Sequence, residues 1–202
     1  MDQERDRTGS RERMLDAATT LLRRSGLSGT GINEIVRESG APKGSVYHHF
    51  PGGKAQIATE ALARHAGSVA AFVERAVAGR RSPPQKVEAL FEAFAGRVEQ
   101  GAFLLSCPAG TVCLDLEPGM DGLRRAVADS FDAYARAVAR HFPLRTPQRT
   151  RSFAGLVVTA IEGAYLRCRA EQSGEPFREA GRWLAALLRE ERAGGPDMAR
   201  RR

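Results

Sequence analysis

Two short helical patterns joined by a glycine lie within residues 30–54, and they constrain the fold more than any other segment. Ile32, Ile35 and Val36 recur at the i, i+3, i+4 spacing of one apolar helical face. Gly40 follows at a point where a chain leaving a helix adopts a left-handed conformation, which a side chain would disfavour. The spacing predicts a helix-turn-helix, a motif whose second helix enters the major groove of DNA.

The second pattern leaves polar side chains on its outer face. Pro42 suits the first turn of a helix, and Val46 and Phe50, four residues apart, are expected to face inward. Cations, hydroxyls, phenols and imidazoles bind phosphates and base edges better than they fill a core. Lys54 opens the next helix, where free N–H groups also favour phosphate. The predicted DNA-binding residues are Thr30, Lys43, Gly44, Ser45, Tyr47, His48, His49 and Lys54.

The segment resembles the DNA-binding domain of the TetR family of bacterial transcriptional regulators. The runs Gly-Thr-Gly-Ile-Asn-Glu-Ile and Gly-Ala-Pro-Lys-Gly-Ser-Val-Tyr-His-His-Phe-Pro-Gly-Gly-Lys are similar to its LmrA/YxaF-like branch. The resemblance covers about residues 10–60, and beyond them only the helical layout and Ser106-Cys107-Pro108. Many members carry a hydroxyl residue where this chain has Gly31, which implies one fewer backbone contact here.

Charge and length bound the remaining possibilities. The chain has 202 residues, enough for one large or two small domains, and a net charge of +7 that favours a polyanionic partner. Residues 1–60 hold nine basic and eight acidic side chains, so the excess charge lies in the rest of the chain. The closing run Arg200–Arg202 is either a disordered end or an extra contact. No apolar run of membrane-spanning length and no signal core is present, so a bacterial cytoplasmic, nucleoid-associated protein is expected.

Helical periodicity continues along almost the whole chain and predicts an all-α protein of about nine helices. The first is expected to begin at a cap on Ser10. We predict a three-helix DNA-binding domain over residues 1–53, a connector helix over 54–79, a ligand-binding and dimerisation bundle over 80–193 and a basic tail over 194–202.

A dimer is expected because one helix-turn-helix reads only about one half-site. The last two helices, roughly 148–172 and 176–192, are the best candidates for the contact, and the family resemblance implies the same arrangement. Alternatively, these helices only close the monomer core. The predicted dimer residues are Phe153, Val157, Ile161, Ala164, Trp183, Leu184 and Leu187.

The resemblance also implies a ligand pocket inside the second bundle, suited to a small hydrophobic molecule, with aromatic molecules among the candidates. The candidate lining residues are Phe91, Phe94, Phe103, Met120, Phe131, Tyr134, Glu162 and Tyr165. Each of the aromatic residues could equally be core, and Glu162 could instead form an ion pair at a subunit interface. His65 and His141 are further pocket or hinge candidates, with solvated or core histidines as the simpler interpretation.

Together these patterns and the resemblance predict a dimeric repressor that binds a palindromic operator in double-stranded DNA and is released by its ligand. An architectural DNA-binding protein without inducer and a TetR-like activator are the alternatives. No nucleophile elbow, phosphate loop or metal-ligand spacing indicates an enzyme, a cofactor or a metal. Cys107, Cys113 and Cys168 suggest a reducing compartment, with a thiol sensor at Cys107 as a second possibility.

Overall fold

The computed structural model describes residues 2–193, and the side chains of residues 9–191. This part of the chain contains nine α-helices, one 3-10 helix and no strand, which confirms the all-α prediction. The predicted basic tail lies outside the described residues. The helices are α1 (Asp2–Ser25), α2 (Ile32–Ser39), α3 (Val46–His49), α4 (Gly53–Val77), α5 (Pro83–Gln100), α6 (Pro108–Cys113), α7 (Asp121–Ala139), α8 (Pro147–Glu171) and α9 (Glu175–Ala193), with the 3-10 helix at Lys43–Ser45.

The chain forms two compact units that are not continuous in sequence. The first contains the described residues up to Val69 together with Leu104–Tyr134, and the second contains Ala70–Phe103 and the described residues from Ala135 onward. Helices α4 and α7 each run through a boundary between the units. The predicted division at residues 53 and 79 remains a functional hypothesis, because compactness alone does not assign roles to segments.

The first helix begins earlier than predicted. α1 starts at Asp2, so Ser10 lies inside the helix rather than at its cap. The Ser10 side chain is buried and its hydroxyl accepts a hydrogen bond from Arg13 Nη2 at 3.0 Å. A serine hydroxyl can form its hydrogen bond with a side chain one helical turn away as well as with the N–H groups at a helix end. The presence of Ser10 therefore did not mark the start of the helix.

In the first unit, α1 packs behind the helix-turn-helix. Its apolar face is buried, with Met14 and Ala18 fully inaccessible. Ion pairs join α1 to α4: Arg11 contacts Glu60, and Arg64 contacts Glu12 and, at 3.0 Å, Asp16. The two long helices that precede and follow the helix-turn-helix in sequence are therefore joined to each other.

The short helix α6 clasps the end of α1. Thr111 Oγ1 donates to the Leu22 carbonyl at 2.7 Å, and Arg23 Nε donates to the Ser106 carbonyl at 3.0 Å. The backbone N–H of Ser106 in turn donates to the Arg23 carbonyl at 2.9 Å, and that of Ser28 donates to Asp115 Oδ2 at 2.9 Å. These four bonds, which we call the α1–α6 clasp, lie wholly within the first unit.

The second unit is built around α5, α8 and α9. Phe177 is fully buried, with its ring stacked on Phe94 at 5.5 Å and edge-on to Tyr165 at 5.1 Å. Arg178 of α9 bridges Glu92 and Glu99 of α5, and its hydrogen bond to Glu99 holds the pKa of that carboxyl below its usual range. An aromatic core and an ion-paired rim thus join α5 to α9.

Candidate nucleic-acid interface and dimer surface

Helix α2 has well-defined ends. Gly31 is its N-cap, with φ −99° and ψ 148°, and its N–H donates to Glu34 Oε2 at 3.1 Å. Ile35 is buried and fixes the inner face. Gly40 ends the helix in the left-handed conformation predicted for it, with φ 63° and ψ 16°. These ends set the angle at which the chain enters the next helix.

The second helix of the motif is shorter than the sequence suggested. Pro42 precedes a single 3-10 turn, Lys43–Ser45, and α3 follows as one α-helical turn. Val46 and Phe50 are buried as expected, and the Arg11 guanidinium lies over the Phe50 ring at 5.1 Å from its centroid. The aromatic anchor under α3 is therefore clamped from α1 by a cation–π contact.

The outer face of this helix presents the polar groups predicted for it. Lys43, Gly44 and His48 are exposed, and Tyr47 is 64% exposed. Ser45 and His49 are half-buried, and Ser45 Oγ donates to the Pro42 carbonyl at 2.6 Å. Lys43 has no carboxylate partner among the described residues. A free cation beside an exposed phenol and imidazole suits a polyanionic groove.

Thr30 is a correction to the predicted set. It is 1% exposed, and its hydroxyl donates to the Gly26 carbonyl at 2.6 Å. A buried hydroxyl already committed to a backbone carbonyl cannot reach a phosphate. Thr30 therefore holds the turn between α1 and α2.

The start of α4 carries a further cation. Gly53 has φ 61°, a left-handed conformation that directs the chain into the helix, and the N–H of Gly52 donates to Gln56 Oε1 at 2.8 Å. Lys54 is half-buried and has no ion pair within the described part of the chain. It lines an open groove of about 760 Å³ that also contains Met120.

Helices α8 and α9 present a face different from the predicted dimer residues. Five of those residues lie in the monomer core, with exposures of 8% or less: Phe153, Val157, Ile161, Ala164 and Leu184. The apolar stripe that the sequence analysis assigned to the dimer contact therefore faces the core of the monomer. Trp183 and Leu187 are 73% and 44% exposed and remain dimer candidates.

An uncharged outer stripe on α8 was missed. Its members recur at helical spacing and are all exposed: Ser152, Leu156, Thr159, Gly163, Leu166 and Ala170. Together with Trp183 and Leu187 they form what we call the α8–α9 outer face. A groove of about 340 Å³ between the two helices, lined by Leu156, Leu187 and Phe153 among others, is part of it. The sequence pattern that could have identified this stripe is that α8 is apolar on both sides. Such a pattern is typical of a helix that packs against other protein on both sides.

The predicted pocket residues fall into separate clusters. Phe91, Phe94 and Tyr165 pack around Phe177 in the second unit. In the first unit, Phe131 and His65 lie edge-on to the Tyr134 ring, 6.0 and 6.2 Å between centroids.

The other pocket candidates are more exposed. Met120, Phe103 and Glu162 are half-buried, and Phe103 has a positive φ of 60°. The ligand pocket remains a prediction, because packed aromatic rings alone do not show a binding cavity.

The cysteines and the second candidate histidine have defined surroundings. All three cysteines are free thiols; Cys107 and Cys168 are buried and Cys113 is exposed. Burial raises the pKa of the Cys168 thiol, which disfavours its reactive thiolate. Cys107 Sγ lies 4.0 Å from the Tyr134 hydroxyl. His141 Nε2 lies 3.3 Å from Glu74 Oε2, so it pairs with a surface carboxylate.

A glycine-hinged helix pair with an outward polar face defines a helix-turn-helix DNA-binding protein. Residues 14–61 match the bacterial regulatory proteins of the tetR family, and residues 83–183 match the C-terminal domain of LmrA/YxaF-like transcriptional regulators. The chain therefore belongs to the TetR family of transcriptional regulators, as the sequence runs predicted.

Whole-chain relatives agree with this assignment. An uncharacterized HTH-type transcriptional regulator of Mycobacterium tuberculosis is 32% identical over 187 residues, which are 89% of this chain and 94% of that protein. The HTH-type transcriptional regulator LmrA of Bacillus subtilis is 28% identical over 182 residues, 89% of this chain and 97% of LmrA. These relatives are regulators of transcription and not enzymes.

Solved structures show the same fold. A TetR regulatory protein from Rhodobacter sphaeroides superposes with a TM-score of 0.76 and 21% identity, over 87% of this chain and 96% of that one. A cysteine mutant of the TetR-family regulator CifR, complexed with 26-base-pair operator DNA, superposes with a TM-score of 0.73 and 16% identity, over 88% and 95% of the two chains. No helix in the described residues is both long and apolar enough to span a membrane.

Proposed function

We propose that this regulator is a repressor that binds a palindromic operator as a homodimer and is released by a small hydrophobic ligand. The observation that carries the DNA-binding part is the exposed face of Lys43, Tyr47 and His48 on a helix anchored by two buried apolar residues. Lys43, Ser45 and the Gly44 backbone are assigned to base edges. Tyr47, His48 and Lys54 are assigned to phosphates, and His49 to packing or the DNA backbone.

The homodimer is supported by the α8–α9 outer face. Its exposed large residues, Leu156, Leu166, Trp183 and Leu187, would otherwise meet water on two adjacent helices. A twofold axis through this face would pair it with itself in a four-helix contact. Two reading helices could then contact successive half-sites about one helical turn of DNA apart, or at a longer spacing.

Release by a ligand is supported by family membership and by aromatic side chains in both units. A ligand shifts binding only if it prefers the conformation that does not bind the operator. The apolar surroundings of Phe94 and Tyr165 favour a hydrophobic molecule with few polar groups. Helix α4, which runs from beside the reading motif into the second unit, is the assigned transmitting element.

The test is an anisotropy titration of labelled DNA from upstream of the chain's own gene, compared with scrambled DNA at two salt concentrations. A preference of about 1,000-fold or more for the upstream DNA is expected of a specific repressor. Equal, steeply salt-dependent binding to both would favour an architectural protein or an operator elsewhere, and selection from random DNA separates these two. An activator would bind specifically but raise transcription in a reporter assay.

Replacing Lys54 with alanine should weaken binding to operator and scrambled DNA alike. The loss of one phosphate contact should flatten the slope of log K against log salt by about one unit. The matched control is Arg182→Ala, which removes the same charge from an exposed position in the second unit where the arginine is ion-paired with Glu175. A changed sequence preference with an unchanged slope would show that Lys54 reads bases instead.

Replacing Gly31 with serine should stabilise α2 and tighten operator binding. The backbone at Gly31 suits any residue, and an added Cβ would lie an ordinary 3.6 Å from Glu34 Oε2. A serine N-cap should add a few tenths of a kcal/mol of stability over glycine. A further phosphate bond would raise affinity about twofold to tenfold. Urea denaturation and anisotropy measure both, and Gly31→Ala, which lacks the hydroxyl, should show neither gain.

A further inference from the structure

Unpaired arginines gather at one end of the second unit. His141 contacts Glu74 at 3.3 Å, which brings the end of α7 beside the end of α4, and the segments that follow these helices begin at the same end. Residues 75–87 and 133–161 contain no aspartate or glutamate. Seven exposed arginines in these segments form what we call the arginine surface: Arg75, Arg80, Arg81, Arg136, Arg140, Arg145 and Arg151.

The arginine surface differs from the rest of the second unit in whether its arginines form ion pairs with carboxylates. Arg167, Arg178, Arg182 and Arg189 each contact at least one glutamate. None of the seven members has a carboxylate partner among the residues that the structure describes. Two carboxylates that reach this end, Glu74 and Glu191, are already engaged by His141 and Arg149. Among the described residues of the second unit, exposed arginines without a carboxylate partner therefore lie mainly here.

We infer that the arginine surface binds the phosphate backbone of duplex DNA, separately from the reading helix. It lies in the second unit, whereas Lys43, Tyr47 and Lys54 lie in the first. Exposed guanidinium groups bind phosphate through two parallel hydrogen bonds. An arginine that has no ion pair within the protein does not have to break one before it binds phosphate. A regulator bound to its operator by the reading helices could then hold a second stretch of duplex.

The side chains between the arginines favour this partner over the alternatives. No large exposed hydrophobic residue lies in residues 74–81 or 136–151. A protein interface of useful affinity needs buried aromatic or aliphatic anchors, and a membrane-surface site needs apolar side chains that enter the lipid. The phosphate backbone needs only positive charge, and its binding is independent of sequence.

The test is a two-duplex capture assay with the full-length protein. Operator DNA is fixed to beads and saturated with protein, and a labelled duplex without the operator is added at several salt concentrations. The test variant is Arg140→Gln/Arg145→Gln/Arg151→Gln. The matched control neutralises three exposed arginines that are ion-paired: Arg124, Arg182 and Arg189. Both variants lose the same charge, and sedimentation confirms that each keeps the wild-type oligomeric state.

Wild type and control should capture the second duplex, and the test variant should capture at least about tenfold less at low salt. The salt slope of capture should flatten by about 0.9 for each lost phosphate contact, up to about three. Equal capture by test variant and control, or no capture by wild type, would overturn the inference. It would do so even if the arginine surface were found to bind an acidic protein instead. Protein retained on the operator beads is measured separately, so failure of operator binding is distinguished from failure at the arginine surface.

Discussion

Replacing Phe177 with alanine should lower the free energy of unfolding by about 3–5 kcal/mol. The ring is fully buried and touches three other aromatic rings, those of Phe91, Phe94 and Tyr165. The helices α9 and α5 are already in close contact at Gly181, where an added Cβ would lie 2.7 Å from Phe91 Cβ. They therefore cannot move closer together to fill the cavity that alanine would leave. Urea denaturation followed by circular dichroism measures the loss.

The control for Phe177→Ala is Phe177→Leu, which keeps most of the buried volume and removes only the ring. It should cost less than half as much as alanine, since the cavity is smaller. A loss below about 1 kcal/mol for Phe177→Ala would contradict a closed aromatic core. It would instead indicate that the space around Phe94 and Tyr165 collapses easily or admits a ligand.

Replacing Leu187 with arginine should weaken the homodimer about 100-fold or more, which corresponds to about 3 kcal/mol. Leu187 is 44% exposed and one helical turn from Trp183 on the α8–α9 outer face. An arginine there would place an unpaired charge in an apolar contact. Sedimentation equilibrium measures the dissociation constant, and operator anisotropy should show a parallel loss because one protomer contacts only one half-site.

The matched control for Leu187→Arg is Leu114→Arg. Leu114 is 80% exposed and belongs to the first unit, whereas α8 and α9 belong to the second. The Leu114→Arg substitution introduces the same charge at a position that is exposed to solvent, so the dimer should be unaffected. If both variants dimerise as wild type does, the α8–α9 outer face is not the subunit contact. If both dissociate, added charge rather than position is the cause.

The helix-turn-helix was predictable because its determinants are local. The conformation of Gly40 and the burial of Val46 and Phe50 follow from residues a few positions apart. Thr30 was not predictable in this way, since a hydroxyl before a helix can face a phosphate or turn back to the preceding carbonyl. The structure shows that it bonds to Gly26.

Faces that depend on distant partners were harder to predict. Periodicity finds an apolar stripe on α8 but cannot tell the monomer core from a second covered side, so Val157 was assigned outward and Leu156 was overlooked. The net charge outside the first 60 residues was visible in the sequence, but its location was not. Arg178 is neutralised by glutamates 79 and 86 positions away, whereas Arg140 has no carboxylate partner within the part of the chain that the structure describes. Such pairing is a property of the folded chain.

The α1–α6 clasp has a consequence for the divergence of this chain and its relatives. Three of its four bonds end on backbone carbonyls, those of Leu22, Arg23 and Ser106, which every residue type provides. The bonds to the Leu22 and Ser106 carbonyls therefore do not depend on the side chains of those two residues, and pairwise covariation between α1 and α6 should be weak. Selection should act instead on the donors Arg23 and Thr111 and on the acceptor Asp115, so comparison of relatives would reveal this contact as isolated constant positions.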